Sequence, residues 1–213
     1  MKKRLNKIYK KLSSSFGRQY WWPADSAFEV MVGAILTQNT NWANVEKAIK
    51  GLKKHNALSA QKLRKIPAQK LASLIRPVGY YNIKAARLKN FVEFLFKRYG
   101  ADIHKMRKID TPFLRNELLS VNGIGPETAD SILLYALNKP IFVIDAYTRR
   151  VLSRHGIINA DAEYAQVQDL FMCNLKKEVK LFNEFHALLV RLAKEYCLKS
   201  KRRCAQCPLV YDK

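Results

Sequence analysis

Leu118-Leu119-Ser120-Val121-Asn122-Gly123-Ile124-Gly125-Pro126-Glu127-Thr128-Ala129-Asp130 is the stretch on which the reading of this chain turns. Two glycines flank one apolar residue, and Pro126 follows where proline opens a helix. The pattern predicts a tight hairpin between two helices. Glycine lets the backbone approach a ligand closely, and the amides at the start of the second helix point outward, which suits the hairpin to gripping the phosphates of one DNA strand. An ordinary helix–turn–helix corner also satisfies Gly-x-Gly, so the short motif decides nothing alone.

Outward from the hairpin, helical periodicity dominates and no sustained polar/apolar alternation marks a sheet, which predicts an all-α fold. Thr111-Pro112 supplies an N-cap and a first-turn proline for a helix at 112–119, and the second hairpin helix spans 127–137. Ser26 and Glu29 have capping-box spacing before Val30-Met31-Val32-Gly33-Ala34-Ile35-Leu36, a helix apolar on nearly every side and so expected at the centre of a bundle. Further helices are expected at about 43–52, 60–65, 68–75, 82–99, 146–155, 163–174 and 178–196. Ile141-Phe142-Val143-Ile144 reads as a buried extended connector. Residues 1–18 carry seven basic side chains and no acid, and read as a solvated helix or arm. No repeat or low-complexity linker interrupts the chain, so a second domain must be built from both ends.

The 213 residues hold 39 Lys+Arg against 17 Asp+Glu, a net charge of +22, and at 48% hydrophobic they can bury a core. That excess favours polyanionic partners. The longest apolar run, about residues 30–36, is far short of a membrane span. The basic N-terminus lacks the apolar segment of a secretory signal. Three of the four cysteines fall in the last 17 residues, too few and too clustered for a disulfide scaffold, so a cytoplasmic, nucleoid-associated location is expected.

Two further segments carry chemistry. In Val143-Ile144-Asp145-Ala146-Tyr147-Thr148-Arg149-Arg150, Asp145 ends an apolar run at the mouth of a helix, where it reads both as an N-cap and as a carboxylate placed for electrostatic catalysis. Cys197, Cys204 and Cys207 form Cys-x6-Cys-x2-Cys-Pro, thiolates suited to iron–sulfur or zinc. The basic loop among them, Lys199, Lys201, Arg202 and Arg203, suits phosphate contacts. Cys173 reads as a small buried hydrophobe. His55, His104, His155 and His186 show no metal spacing.

Together, the hairpin, the 20 residues from Gly125 to Asp145 and the cysteine pattern resemble the helix-hairpin-helix (HhH-GPD) DNA glycosylases of the endonuclease III superfamily, from Trp21 to Cys207. The resemblance implies an all-α fold of two helical domains with a DNA-binding cleft between them and a C-terminal iron–sulfur loop. One is a six-helix domain at 25–137 with the hairpin at about 113–137; the other joins 1–24 to 138–213. Asp145 matches the family's essential aspartate, which stabilises the positive sugar and positions or activates water. Glu127 stands where bifunctional members carry a nucleophilic lysine. A carboxylate cannot form a Schiff base, so a monofunctional enzyme with weak or absent lyase activity is expected.

Trp21-Trp22-Pro23, the stretch 36–42 and Arg76-Pro77-Val78-Gly79-Tyr80-Tyr81-Asn82-Ile83-Lys84 look most like the 3-methyladenine DNA glycosylase branch. That branch implies a base pocket of Trp21, Trp22, Pro23 and Trp42, in which a flipped, electron-poor alkylated purine stacks. Core packing is the competing reading for at least one tryptophan. DNA contacts are expected from Gln38, Tyr80, Lys84, Gly123, Ile124, Gly125, Arg149, Lys201, Arg202 and Arg203. Gln38 and Tyr80 match side chains that enter the DNA stack, with helix capping as the other reading of Gln38. A [4Fe–4S] cluster on Cys197, Cys204 and Cys207 is implied, with an unidentified fourth ligand because the family's fourth cysteine falls at Lys213, and so is a monovalent cation at the hairpin. The expected partner is double-stranded DNA holding a damaged base, bound by a monomer away from any membrane. The expected function is base excision of an alkylated purine, 3-methyladenine foremost. The alternatives are an endonuclease III-like glycosylase/lyase for oxidised pyrimidines, a uracil or mismatch glycosylase, and a non-catalytic DNA-binding module.

Overall fold

The computed structural model describes residues 1–210 and 212, and no strand occurs among them. The helices are α1 (Lys2–Phe16), α2 (Ala27–Leu36), α3 (Trp42–Lys54), α4 (Ala60–Lys65), α5 (Ala68–Leu74), α6 (Tyr81–Tyr99), α7 (Ile103–Lys108), α8 (Thr111–Leu119), α9 (Pro126–Ser131), α10 (Ala146–Arg154), α11 (Tyr164–Met172) and α12 (Val179–Glu195). They fall into two compact units, one of Ala24–Lys139 and one of Met1–Pro23 with Pro140–Lys213. No helix among the described residues is long and apolar enough to cross a membrane.

In the continuous unit, α2 is buried from Phe28 to Leu36 and packs against α3, α6 and α9, as its all-round apolarity predicts. Its start is a modified capping box. Ser26 Oγ accepts the Glu29 N–H at 3.1 Å, but the Glu29 carboxylate accepts from Asp25 N–H and pairs with Lys53 at 2.7 Å instead of closing on Ser26. Helix α7 lies where no helix was expected. Met106 is its one fully buried anchor, too little for a periodic signal, and Asp102 caps it by accepting the His104 N–H at 2.9 Å. The second hairpin helix, expected to run unbroken over 127–137, passes from α9 into a π-turn (Ile132–Ala136), closed by Leu137 N–H on Ile132 O at 3.2 Å.

In the discontinuous unit, α12 packs against α10 and α1. α1 buries Leu5, Ile8 and Leu12, so the segment read as a solvated helix or arm is solvated on one face only. The connector through Ile141, Phe142, Val143 and Ile144 is extended and buried. Phe142 stacks on Phe171 with centroids 3.7 Å apart and meets Phe182 and Phe185 edge-on. Such aromatic contacts add about 1 kcal/mol each beyond area burial. Gln168 Nε2 donates to Phe142 O at 2.7 Å and the Tyr164 hydroxyl accepts the Ile144 N–H at 3.3 Å, which fixes the chain just before Asp145.

Candidate active site

The hairpin joins α8 to α9 within the continuous unit. Gly123 sits at φ +93°, and a Cβ there would stand 2.3 Å from Arg87 Cγ, so glycine is required on both conformational and steric grounds. Gln38 braces this turn: its Nε2 donates to Gly123 O and to Thr128 Oγ1, both at 2.9 Å, and its Oε1 accepts from the Arg87 guanidinium. Gln38 therefore neither caps a helix nor stands free to enter a duplex in this structure. Ile124 is 5% exposed, so the hairpin can offer a ligand its backbone there but not that side chain. The carbonyls of Val121 and Gly123 accept from Ile124 N–H and Gln38 Nε2. Gly125 is the extended N-cap of α9, and Glu127 lies exposed in the first turn, where the helix dipole favours a carboxylate.

Tyr80 is 65% exposed and held at φ +46°, a left-handed conformation costing about 1–2 kcal/mol for a non-glycine residue. Lys84, expected on DNA phosphate, is 1% exposed, a correction with a clear cause. Its Nζ donates to Leu36 O at 3.0 Å and Val78 O at 2.9 Å, tying the end of α2 to the turn that carries Tyr80. Burial, with the Arg87 charge adding, pushes its pKa down to about 8.

Asp145 caps α10 in the discontinuous unit, its Oδ1 accepting the Thr148 N–H at 2.7 Å. Its Oδ2 lies 3.5 Å from His186 Nε2, whose side chain is 6% exposed, against 13% for Asp145. Burial alone would raise the carboxyl's pKa. The neighbouring His186 imidazole and the Thr148 amide outweigh that, and the net shift is downward, so the group stays ionised. His186 went unrecognised in the sequence. Its one signal was a polar residue among Phe182, Phe185 and Leu189 on the buried face of α12.

Trp21 and Trp22 are half-buried in the same unit and meet edge-to-face with centroids 5.7 Å apart; Pro23 is exposed. Trp42 is half-buried at the first position of α3, in the continuous unit. Arg149 is half-buried on α10, while Lys201, Arg202 and Arg203 are exposed.

Cys197, Cys204 and Cys207 line one cavity of about 400 Å³ with Arg154 and Asp212. Cys207 Sγ accepts the Leu209 N–H at 3.4 Å and Cys197 Sγ accepts from Arg154 Nη1 at 3.2 Å, the donors thiolates attract. Burial raises the Cys207 thiol, and the neighbouring Cys197 and Cys204 add to it. Arg154 also donates to the carbonyls of Cys197, Leu198 and Lys199, and Arg150 to Cys197 O and Ala193 O. The donor chemistry fits three corners of an iron–sulfur site, while no three His, Cys, Asp or Glu side chains converge on a single metal ion among the described residues. The fourth-cysteine position, Lys213, lies outside the described residues. Cys173 is exposed at the end of α11, not a buried hydrophobe, because it follows the last buried turn at Phe171.

Comparison with known proteins places these features. The model of the HhH-GPD superfamily base excision DNA repair proteins matches residues 32–177. The chain is 51% identical over 205 residues to "Putative DNA repair glycosylase MJ1434" of Methanocaldococcus jannaschii, covering 95% of this chain and 92% of that one. It is 27% identical over 183 residues to endonuclease III of Sulfolobus acidocaldarius, covering 85% and 79%. Among solved structures, the H. pylori 3-methyladenine DNA glycosylase bound to 1,N6-ethenoadenine is 28% identical with a TM-score of 0.76, covering 90% of this chain and 97% of that one. An endonuclease III trapped covalently on DNA has a TM-score of 0.86 at 21% identity, covering 100% and 95%, a likeness of fold alone.

Proposed function

The chain belongs to the HhH-GPD superfamily of base excision DNA repair proteins, and from that membership we propose a monofunctional DNA glycosylase that removes alkylated purines, 3-methyladenine foremost, from duplex DNA. The observation that carries the mechanism is Asp145: an ionised, largely buried carboxylate fixed by the Thr148 amide and His186. As the C1′–N bond breaks, the electron pair leaves with the base and positive charge develops on the sugar, which the carboxylate stabilises. Water then bonds to C1′ and gives its proton to the carboxylate or to solvent. A purine alkylated at a ring nitrogen is already cationic and leaves neutral, so no general acid is needed. The paired indoles of Trp21 and Trp22 offer the electron-rich surface such a base stacks on.

Glu127 supports water as the nucleophile, because a carboxylate at that hairpin position cannot form an imine with the sugar. Tyr80, exposed and conformationally fixed, is the side chain proposed to enter the duplex as the base flips. Substrate choice draws on the H. pylori 3-methyladenine enzyme, similar over most of both chains. Cys197, Cys204 and Cys207 would hold an iron–sulfur cluster, which when bound clamps the loop carrying Lys201, Arg202 and Arg203.

Base release from methylated duplex tests this reading. The wild type is expected to free 3-methyladenine with strands intact until alkali, and Asp145→Asn to lose about 10²-fold or more of the rate. Release of oxidised pyrimidines with strand cleavage instead would establish the endonuclease III-like alternative.

A further inference from the structure

The proposed chemistry leaves one strongly charged surface unused. Helix α1 puts Leu5, Ile8 and Leu12 into the core at 0–2% exposure, and its opposite side carries Lys2, Lys3, Lys7, Lys10 and Lys11 around a shallow groove with Asn6. We propose that this face of α1 is a second DNA-holding surface, which takes the phosphate backbone of undamaged duplex beside the lesion. The inference rests on the reading that duplex DNA is the substrate, and adds a surface to which nothing above assigns a role.

Three observations carry it. First, the charges are uncompensated. Residues 1–24 hold no Asp or Glu, and none of these five lysines forms an ion pair among the described residues. Some basic side chains on other helices are matched, Lys53 by Asp25 and Glu29, Arg64 by Glu93 and Arg98 by Glu117, whereas the α1 stripe has no acidic neighbour in its own stretch of chain. Lys3 and Lys7 stand at i,i+4 and Lys7 and Lys10 at i,i+3, spacings at which like charges repel, so the stripe opposes helix stability unless an anion offsets it. Second, the one arginine of the stretch near the stripe is anchored elsewhere. Arg4 binds Asp212 through Nε at 3.3 Å and Nη2 at 3.2 Å, and His155 O at 2.7 Å, which pins the helix as a rigid platform. Third, the face recognises charge alone. A helix that lies on an acidic membrane exposes apolar residues beside its lysines, whereas here Leu5, Ile8 and Leu12 enter the core, Tyr9 and Phe16 are half-buried, and of the large apolar side chains of residues 1–16 Met1 alone is exposed, at 50%. Lys2 to Lys11 spans about 14 Å of helix, a length over which duplex DNA presents about four phosphates per strand.

The test compares the whole chain with K3Q/K7Q/K10Q and with K3R/K7R/K10R for binding to an undamaged duplex across a salt series, after far-UV melting curves show all three folded alike. Each phosphate contact adds about 0.9 to the slope of log affinity against log salt. The glutamine variant is expected to lose about 2–3 from the slope, so the affinity of wild type falls about 40-fold more steeply than that of the variant between about 50 and 200 mM salt. The arginine variant is expected to keep the wild-type slope. Base release under single-turnover conditions with saturating enzyme is expected to be the same in all three. An unchanged slope in the glutamine variant overturns the proposal, as does an arginine variant as weak as the glutamine one. So does loss of binding to phosphatidylserine vesicles without loss on DNA, which would make the face a lipid surface. A wild type that shows the predicted slopes but releases no base would refute the catalytic reading and leave this surface standing.

Discussion

Asp145 Oδ2 and His186 Nε2 stand 3.5 Å apart, joining the mouth of α10 to the buried face of α12. The carboxylate alone would be driven toward its neutral form by burial; paired with the imidazole and the Thr148 amide it is held below the ordinary carboxylate range.

His186→Gln is therefore expected to raise the pKa of Asp145 and move the acid limb of the single-turnover rate profile to higher pH. The depressed carboxylate also contributes stability above its unfolded pKa of about 3.9, lost as pH falls through the folded value, and the variant should lose that contribution. A profile scaled down at every pH with its limb in place would reduce His186 to packing.

At the hairpin, Gly123→Ala places a methyl group 2.3 Å from Arg87 Cγ at a positive φ. Destabilisation of about 1–3 kcal/mol is expected, the backbone share being about 1–2. In an Arg87→Ala background the steric share should vanish, so a double-mutant cycle by urea melts should be non-additive. Strict additivity would mean Arg87 moves aside freely.

Lys84 has a native pKa lowered to about 8 from 10.5. Between those values the unfolded chain binds the proton that the folded chain has released, so this residue's contribution to stability rises with pH there. The stability of wild type minus that of Lys84→Met should increase by about 2–3 kcal/mol from pH 8 to 10.5. A flat difference would mean the ammonium is solvated in the native protein.

Glu127→Lys supplies an amine at the hairpin. Borohydride is expected to trap the variant on damaged DNA and to leave wild type untrapped. Trapping of wild type at the rate of base release would refute the water mechanism.

Anaerobically purified protein is expected to contain iron and absorb broadly in the visible, and Cys204→Ser to lose both. Colourless, iron-free wild type would refute the cluster.

What the sequence disclosed was local. Gly123, Pro126 and Asp145 act through their own turn or cap, and a few neighbouring residues suffice to read them. His186, Arg87 and Gln38 act through partners tens of residues away, and no periodicity reports which buried polar side chain will meet which. Lys84 was misread for the same reason: a lysine in a basic chain suggests phosphate, and only the fold brings the Leu36 and Val78 carbonyls to it. The π-turn and α7 escaped because neither carries a distinct pattern.

The split of one unit across the chain has a consequence during synthesis. α1 packs on α12, whose first residue is made 163 positions after the last of α1. At about 5–20 residues per second, the nascent α1 waits roughly 10–30 s for its partner while all of Ala24–Lys139 emerges and can collapse by itself. Throughout that interval Leu5, Ile8 and Leu12 lack the α12 surface they pack on, with five lysines beside them on the same segment.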